Sequence, residues 1–260
     1  MTLKASAVYN AYPLSQLSEL QKKHPNVKTI HIIRHAEGTH NVHKQYKAEI
    51  NLDARLTDKG VAQCEALAAS QDITSNVDLV VTSTLTRCIQ TALTSFPGLA
   101  IPFVAHESIR ETINHTCDRR RLISQISQEF PHVDFSHVEE EEDEIWNDYT
   151  TRMGPEYDSC FESAELWKVA ERGRDFLGWL SQRGEQNVIL CTHSAFLRCV
   201  LSWGQDGGVE FIMDQTLDNR QDPGPDEPVI KYCGDEDFER HVRADYENCE
   251  LRSFVIVFDE

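Results

Sequence analysis

Five short apolar runs constrain most strongly what this chain can fold into. They are "TIHIIR" (29–34), "VDLVVTS" (77–83), "IPFVAH" (101–106), "NVILCTH" (187–193) and "SFVIVF" (253–258). Each is rich in residues that favour extended backbone and pack well on a pleated surface. Segments with helical periodicity lie between them. "LTDKGVAQCEALAAS" has Thr57 placed as an N-cap. "TLTRCIQTALTSF" (84–96) follows the second run, "ESAELWKVAERGRDFLGWLSQRG" (162–184) precedes the fourth, and "SAFLRCVLSW" (194–203) follows it. Strand then helix, repeated, predicts an α/β fold with three layers, α/β/α, around a mainly parallel sheet.

Residues 107–161 break this rhythm. They contain Arg119-Arg120-Arg121, the loop "FPHVDFSHV" and the acidic run "EEEEDE" at 139–144. They read as an inserted lobe, mostly helical or irregular, within a single domain over 1–260. The acidic run is most simply a solvated surface segment. Residues 205–240 are rich in Gly, Pro and Asp and read as a long loop with little regular structure.

The net charge of −18 argues against a nucleic-acid or anionic-membrane surface, where Lys and Arg must neutralise phosphates. A few arginines can still dominate a small pocket. No run is long and apolar enough to span a membrane, and the N-terminus lacks the apolar core of a secretory signal. A cytoplasmic protein is expected. None of the eight cysteines forms a C-x-x-C pair, and most sit within apolar patterns, so reduced, mostly buried thiols are expected.

The strand ends carry the chemistry. The first run delivers Arg34 and His35, the second leads into a helix with Arg87 in its first turn, and the fourth delivers His193 before a helix. In parallel α/β sheets, ligands bind beyond the carboxyl ends of the strands. Two arginines and two histidines meeting there would make an anion site, helped by helix N-termini. Taken singly, Arg34 reads as a surface charge, His193 as a core histidine and Arg87 as half of an ion pair. Their joint arrangement argues otherwise. A metal site built from His31, His35, His40 and His43 is the weaker reading, because His31 and His35 straddle a strand and its exit, with no accompanying carboxylate–His motif.

"RHAEGTHN" resembles the R-H-G-(E/Q)-x-x-x-N signature of the histidine phosphatase superfamily, also called phosphoglycerate-mutase-like. "LTDKGVAQ" is similar to that family's L-T-x-x-G-x-x-Q, "TSTLTRCIQTA" to S-P-L-x-R-A-x-Q-T-A, and "CTHSAF" to its V-x-H-G-G region. The motifs occur in the family's order across residues 29–196. "RETINHTCDRR", "DFSHVEEEEDEIW" and "NCELRS" resemble a eukaryotic branch of phosphatase-like members. The resemblance implies that His35 is a nucleophile that becomes phosphorylated. Arg34, Arg87 and His193 would bind the transferred group, and Asn41 would touch a phosphate oxygen. Glu111, in "IRET", would be the proton donor from the inserted region. Thr57 and Gln63 match positions of structural weight. Ala36, Ser83-Thr84 and Ser194-Ala195 depart from the family pattern without removing a charged participant, which puts pocket shape and substrate choice in question.

The expected function is hydrolysis of a small phosphorylated metabolite, with substrate or inorganic phosphate as the ligand, no metal and no cofactor. The attacking imidazole must be neutral, while the second histidine is useful as a cation or as a donor. The rival readings are a phosphoglycerate-type mutase, for which no feature securing substrate retention is visible, and a non-catalytic binding protein on the same fold. His115, Arg119, Arg120 and Arg121 could contact a second anionic group; for at least two of the three arginines, pairing with the chain's own carboxylates is the simpler expectation.

Overall fold

The computed structural model describes residues 7–70, 76–153, 162–205 and 227–258. Its centre is a seven-stranded sheet: β1 (Tyr9–Tyr12), β2 (Val27–Arg34), β3 (Leu79–Ser83), β4 (Phe103–His106), β5 (Asn187–Thr192), β6 (Ile230–Tyr232) and β7 (Leu251–Val257). The strand order is β4-β3-β5-β2-β7-β1-β6. β4, β3, β5 and β2 are mutually parallel. β7 runs antiparallel to β2 and β1, and β6 is parallel to β1. The sheet is thus mixed and mostly parallel, and all five expected strands are present.

Alternation along the central strands divides the core into two layers. Ile30, Ile32, Leu79, Val81, Val188 and Leu190 pack with Val169, Phe176, Phe196 and Leu197. Those partners come from α6 (Leu166–Ser181) and α7 (Ser194–Ser202). Ile33, Val80, Ile189 and Cys191 pack instead with Ile89, Ala92 and Phe96. The latter lie on or just beyond α3 (Thr86–Ser95), which is flanked by α2 (Asp58–Ser70). Helices therefore cover both faces, as a buried parallel sheet requires.

Local chemistry sets the helix starts. Thr57 Oγ1 accepts from the Gly60 N–H at 3.0 Å, the expected cap of α2. Gly60 is needed at its position, because a Cβ there would lie 2.2 Å from the Glu37 carbonyl oxygen. α3 is capped from a distance: Asp53 Oδ1 accepts from the Thr86 N–H at 2.8 Å and Oδ2 from the Thr86 hydroxyl.

Four elements depart from the sequence expectation. β1, α1 (Leu17–Lys23), β6 and α8 (Glu236–Arg243) were not foreseen; β6 lies within, and α8 begins within, 205–240, which reads as loop. Residues 206–226 of that stretch lie outside the described residues, as does Cys160. The other seven cysteines are free thiols; all are buried except Cys233. Among the described residues, no helix is long and apolar enough to cross a membrane.

Between β4 and α6, the chain forms 3-10 turns, α4 (Ile123–Glu129) and α5 (Glu144–Met153). The acidic run there is not simply solvated. Side chains 139–142 are exposed, but Asp143 is buried and paired through two hydrogen bonds, both 2.7 Å, with the buried Arg110. The Arg120 guanidinium donates to the carbonyls of Glu140, Glu141 and Glu142. The run is stitched to the segment that carries Glu111, because guanidinium groups satisfy backbone acceptors and a buried carboxylate together.

Candidate active site

The carboxyl ends of β2, β3 and β5 open on one edge, and Arg34, His35, Arg87 and His193 gather there as the strand order predicts. Arg34 ends β2 and donates to the Tyr246 carbonyl at 2.6 Å. His35 follows, with its N–H donated to the Thr192 carbonyl at 2.9 Å. Its ring centroid is 5.1 Å from that of His193 and 5.5 Å from that of His40. Arg87 is buried in the first turn of α3; Nη1 donates to the Cys117 carbonyl at 2.6 Å and Nη2 to Asp118 at 3.1 Å. The Nε atoms of both arginines are buried without a hydrogen-bond partner among the described residues.

The protonation states follow from these contacts. His35 Nδ1 lies 2.7 Å from the Ala36 carbonyl. A carbonyl only accepts, so Nδ1 carries the proton and Nε2 presents a lone pair. Burial first, and then the charges of Arg87, His40 and Arg34, holds the pKa of His35 well below its ordinary value. His193 is pushed down too, by burial and then by Arg87. Its Nε2 lies 2.9 Å from Ser83 Oγ. Burial and the Arg87 charge thus favour the neutral imidazole over the cation for this second histidine.

Glu111 reaches the same edge. Its Oε1 accepts from the N–H groups of Thr112 and Phe196, each at 3.0 Å, and Oε2 from Ala195 at 3.4 Å. It therefore sits over the first turn of α7, beside His193. Those N–H groups favour the carboxylate, but burial and then the charge of Asp118 outweigh them and raise its pKa. Glu107, four residues earlier, is committed elsewhere: Oε1 pairs with Arg110 at 2.5 Å and Arg120 at 3.1 Å. Asn41 Oδ1 accepts from the Gly38 N–H at 3.0 Å, so this side chain braces the loop after β2. Gln63 braces the same loop by accepting from the Glu37 N–H at 2.9 Å.

The remaining candidates fall outside the cluster. His31 lies on β2, 2.7 Å from Ser253 Oγ, and the side chain of His43 is outside the described residues. Arg120 and Arg121 are engaged with Glu107 and with Asp53 and Glu129 respectively, while Arg119 is exposed above the Trp146 ring. Sequence reasoning overlooked the residues that hold the cluster in place. Asp118 and the Cys117 carbonyl orient Arg87, Ser83 contacts His193, and the Asn248 side chain donates to the His35 carbonyl at 3.0 Å. Asp118 lies in "RETINHTCDRR" and Asn248 in "NCELRS", so the signal was present in segments already singled out.

Five histidines now share one consequence. Burial lowers His31 and His106 to about 4 and His40 to about 2, and it depresses His35 and His193 as well. Between each folded value and the ordinary 6.5, the unfolded chain holds the extra proton. Stability is therefore complete above about pH 6.5 and falls as acid is added, by at most about 1.4 kcal/mol per pH unit for each group. Glu111, shifted upward, acts in the opposite sense, but it is one group against five. The thermal midpoint should drop steadily from pH 7 to pH 5, and a level or rising midpoint would contradict the buried neutral assignment.

The sequence pattern described as Histidine phosphatase superfamily (branch 1) matches residues 30–221. Two Arabidopsis thaliana proteins are similar over most of their length. A "Phosphoglycerate mutase-like protein" is 32% identical, with 88% of this chain and 84% of the relative covered. "Phosphoglycerate mutase-like protein 1" is 33% identical, covering 88% and 81%. Among solved structures, "Mycobacterial hydrolase 1" superposes with a TM-score of 0.48 at 16% identity, covering 88% of this chain and 92% of that one. A match spanning well over half of the residues, together with relatives of this similarity, places the chain in branch 1 of the histidine phosphatase superfamily.

Proposed function

We propose that the chain is a phosphomonoester hydrolase that acts on a small phosphorylated metabolite through a phosphohistidine on His35. The observation that carries this reading is the hydrogen bond from His35 Nδ1 to the Ala36 carbonyl, which turns a bare Nε2 toward chemistry in a buried site ringed by Arg34, Arg87 and His193. In the first step, Nε2 attacks phosphorus while the bond to the ester oxygen breaks. Arg34, Arg87 and a His193 N–H take the equatorial oxygens, whose charge must be balanced as the group transfers. The side-chain amide of Asn41 supplies a further donor. Protonated Glu111 gives its proton to the departing alkoxide. In the second step, Glu111 takes a proton from water, the resulting nucleophile attacks phosphorus, the P–N bond breaks, and its electron pair returns to Nε2. Inorganic phosphate leaves. The chain's own residues account for every proton moved.

Phosphate release from a panel of alkyl, sugar and aryl phosphomonoesters tests the reading directly. Arg34→Lys and Arg87→Lys should each lower kcat/KM on all of them, by an order of magnitude or more, because an ammonium cannot reproduce the planar fork. Conversion of one phosphoglycerate isomer to another without phosphate release would favour a mutase instead. A loss confined to one substrate would make that arginine a specificity residue.

A further inference from the structure

One pair of thiols lies against the catalytic edge and has no part in the proposed reaction. Cys64, on α2, and Cys249, just before β7, are 0% and 8% exposed. The Cys249 thiol donates to Cys64 Sγ at 4.0 Å. Both pack with Ala36, whose carbonyl holds the His35 ring. The hydrogen bond from Cys249 is the largest influence on Cys64 and holds its pKa below the ordinary thiol value in spite of burial. Burial pushes the thiols of Cys117, Cys191 and Cys199 upward instead. The thiolate is the reactive form, so Cys64 stands apart from those three.

Cys249 is also tied to the site through its backbone. Its φ is 63°, in the left-handed region that residues other than glycine rarely adopt. Backbone in that region is costly and persists only where its surroundings over-determine it. Here the surroundings are the catalytic residues: the Cys249 N–H donates to the carbonyls of Arg34 and His35, at 3.0 and 3.3 Å. Its neighbours act in the same way. The Asn248 side chain donates to the His35 carbonyl, and the Tyr246 carbonyl accepts from Arg34. Arg252 braces the segment by donating to the carbonyls of Ala244 and Asp245, with its guanidinium 3.9 Å above the Tyr246 ring. The chain from 244 to 249 is thus a clasp on Arg34 and His35, and Cys249 connects that clasp to α2.

We propose that Cys64 and Cys249 are a redox modification site for a small hydroperoxide, and that closing them into a disulfide loosens the anion site at Arg34 and His35. Its consequence for turnover rests on the phosphatase reading; the bond and the loss of anion binding do not. Cys64 loses its proton, and the thiolate attacks one oxygen of the peroxide. The O–O bond breaks, and the departing hydroxide takes up that proton as water. The Cys249 sulfur then attacks the sulfenic acid, the S–O bond breaks, and its hydroxyl leaves with the Cys249 proton as a second water. Two thiols lose the two electrons that one peroxide gains. The partial exposure of Cys249 is where a molecule of that size reaches the pair. A disulfide holds its sulfurs about 2.0 Å apart, so they must approach by roughly 2 Å. The movement falls on Cys249 and the clasp, because Cys64 is fixed within a helix. A shift of about 1 Å at a reacting group costs on the order of 10²-fold in rate. A thiol reductant reverses the change.

Treatment of the intact protein with hydrogen peroxide tests this without relying on turnover. Digestion in the absence of reductant, followed by mass spectrometry, should find peptides joined through Cys64 and Cys249, distinct from any oxidation at the exposed Cys233. Calorimetry with inorganic phosphate should show the linked protein binding about tenfold or more weakly than the reduced one, with full recovery in dithiothreitol. Phosphate release from esters should fall and recover with it. Cys64→Ala should bind phosphate as tightly as the wild type and keep that affinity in peroxide; Cys249→Ser should be equally insensitive to peroxide. Absence of the Cys64–Cys249 link, a linked protein that binds phosphate as tightly as the reduced one, or an equal loss of binding in both variants would overturn the redox site and leave the phosphatase reading standing. A link that weakens phosphate binding, in a protein whose reduced form releases no phosphate from any ester, would support the redox site and overturn the phosphatase reading.

Discussion

Glu111→Gln is expected to slow cleavage of alkyl and sugar phosphates by on the order of 10²–10⁴-fold while leaving the first step on nitrophenyl phosphate far less affected. The difference lies in the leaving group. An alkoxide is too basic to depart without a proton, whereas nitrophenolate is stable by itself. Glu111 suits the role because burial and Asp118 raise its pKa, which favours the protonated acid. Glutamine keeps the acceptor oxygen for the Thr112 and Phe196 N–H groups, so the local fold should persist. Burst kinetics on both substrate classes would separate the steps. If Glu111 also activates water, the variant should show a burst of nitrophenol followed by slow turnover, as phosphohistidine accumulates. A small, equal effect on both classes would reduce Glu111 to a brace for the start of α7. Glu107 would be a poor replacement, since its carboxylate is paired with Arg110 and Arg120.

The parts of this site that were legible in the sequence are those placed by the sheet. β2, β3 and β5 are buried valine- and isoleucine-rich runs, so their ends could be located, and a parallel arrangement puts those ends on one edge. Arg34, His35, Arg87 and His193 follow directly. The supporting contacts were not legible, because they come from distant loops. Arg34 is anchored by Tyr246, 212 residues away, and Arg87 by Asp118, 31 residues away. No periodicity encodes such a pairing. The same reason explains β1 and β6: "YNAY" and "IKY" are too short to show alternation and become strands only by pairing along the edge of the sheet. The acidic run is a mostly exposed surface segment, as its composition suggests, but its one buried member, Asp143, and the ties to Arg110 and Arg120 were not legible, because those partners are placed opposite it only by the fold. His40 was visible as one histidine among several. Only the ring distances to His35 and Tyr46 give it a place in the site.

The central claim is that His35 itself carries the phosphoryl group. Its neutral Nε2 follows from a single backbone contact, and Arg34 and Arg87 beside it each keep a buried Nε with no hydrogen-bond partner among the described residues. Rapid acid-free quench of the protein with labelled phosphomonoester, followed by denaturing separation, measures this directly. The account predicts a labelled chain whose phosphate is stable in base and lost in acid, with no label at all in His35→Ala and a phosphate-release rate reduced to background. Label that persists in His35→Ala, or that survives acid, would place the covalent step elsewhere and contradict the account.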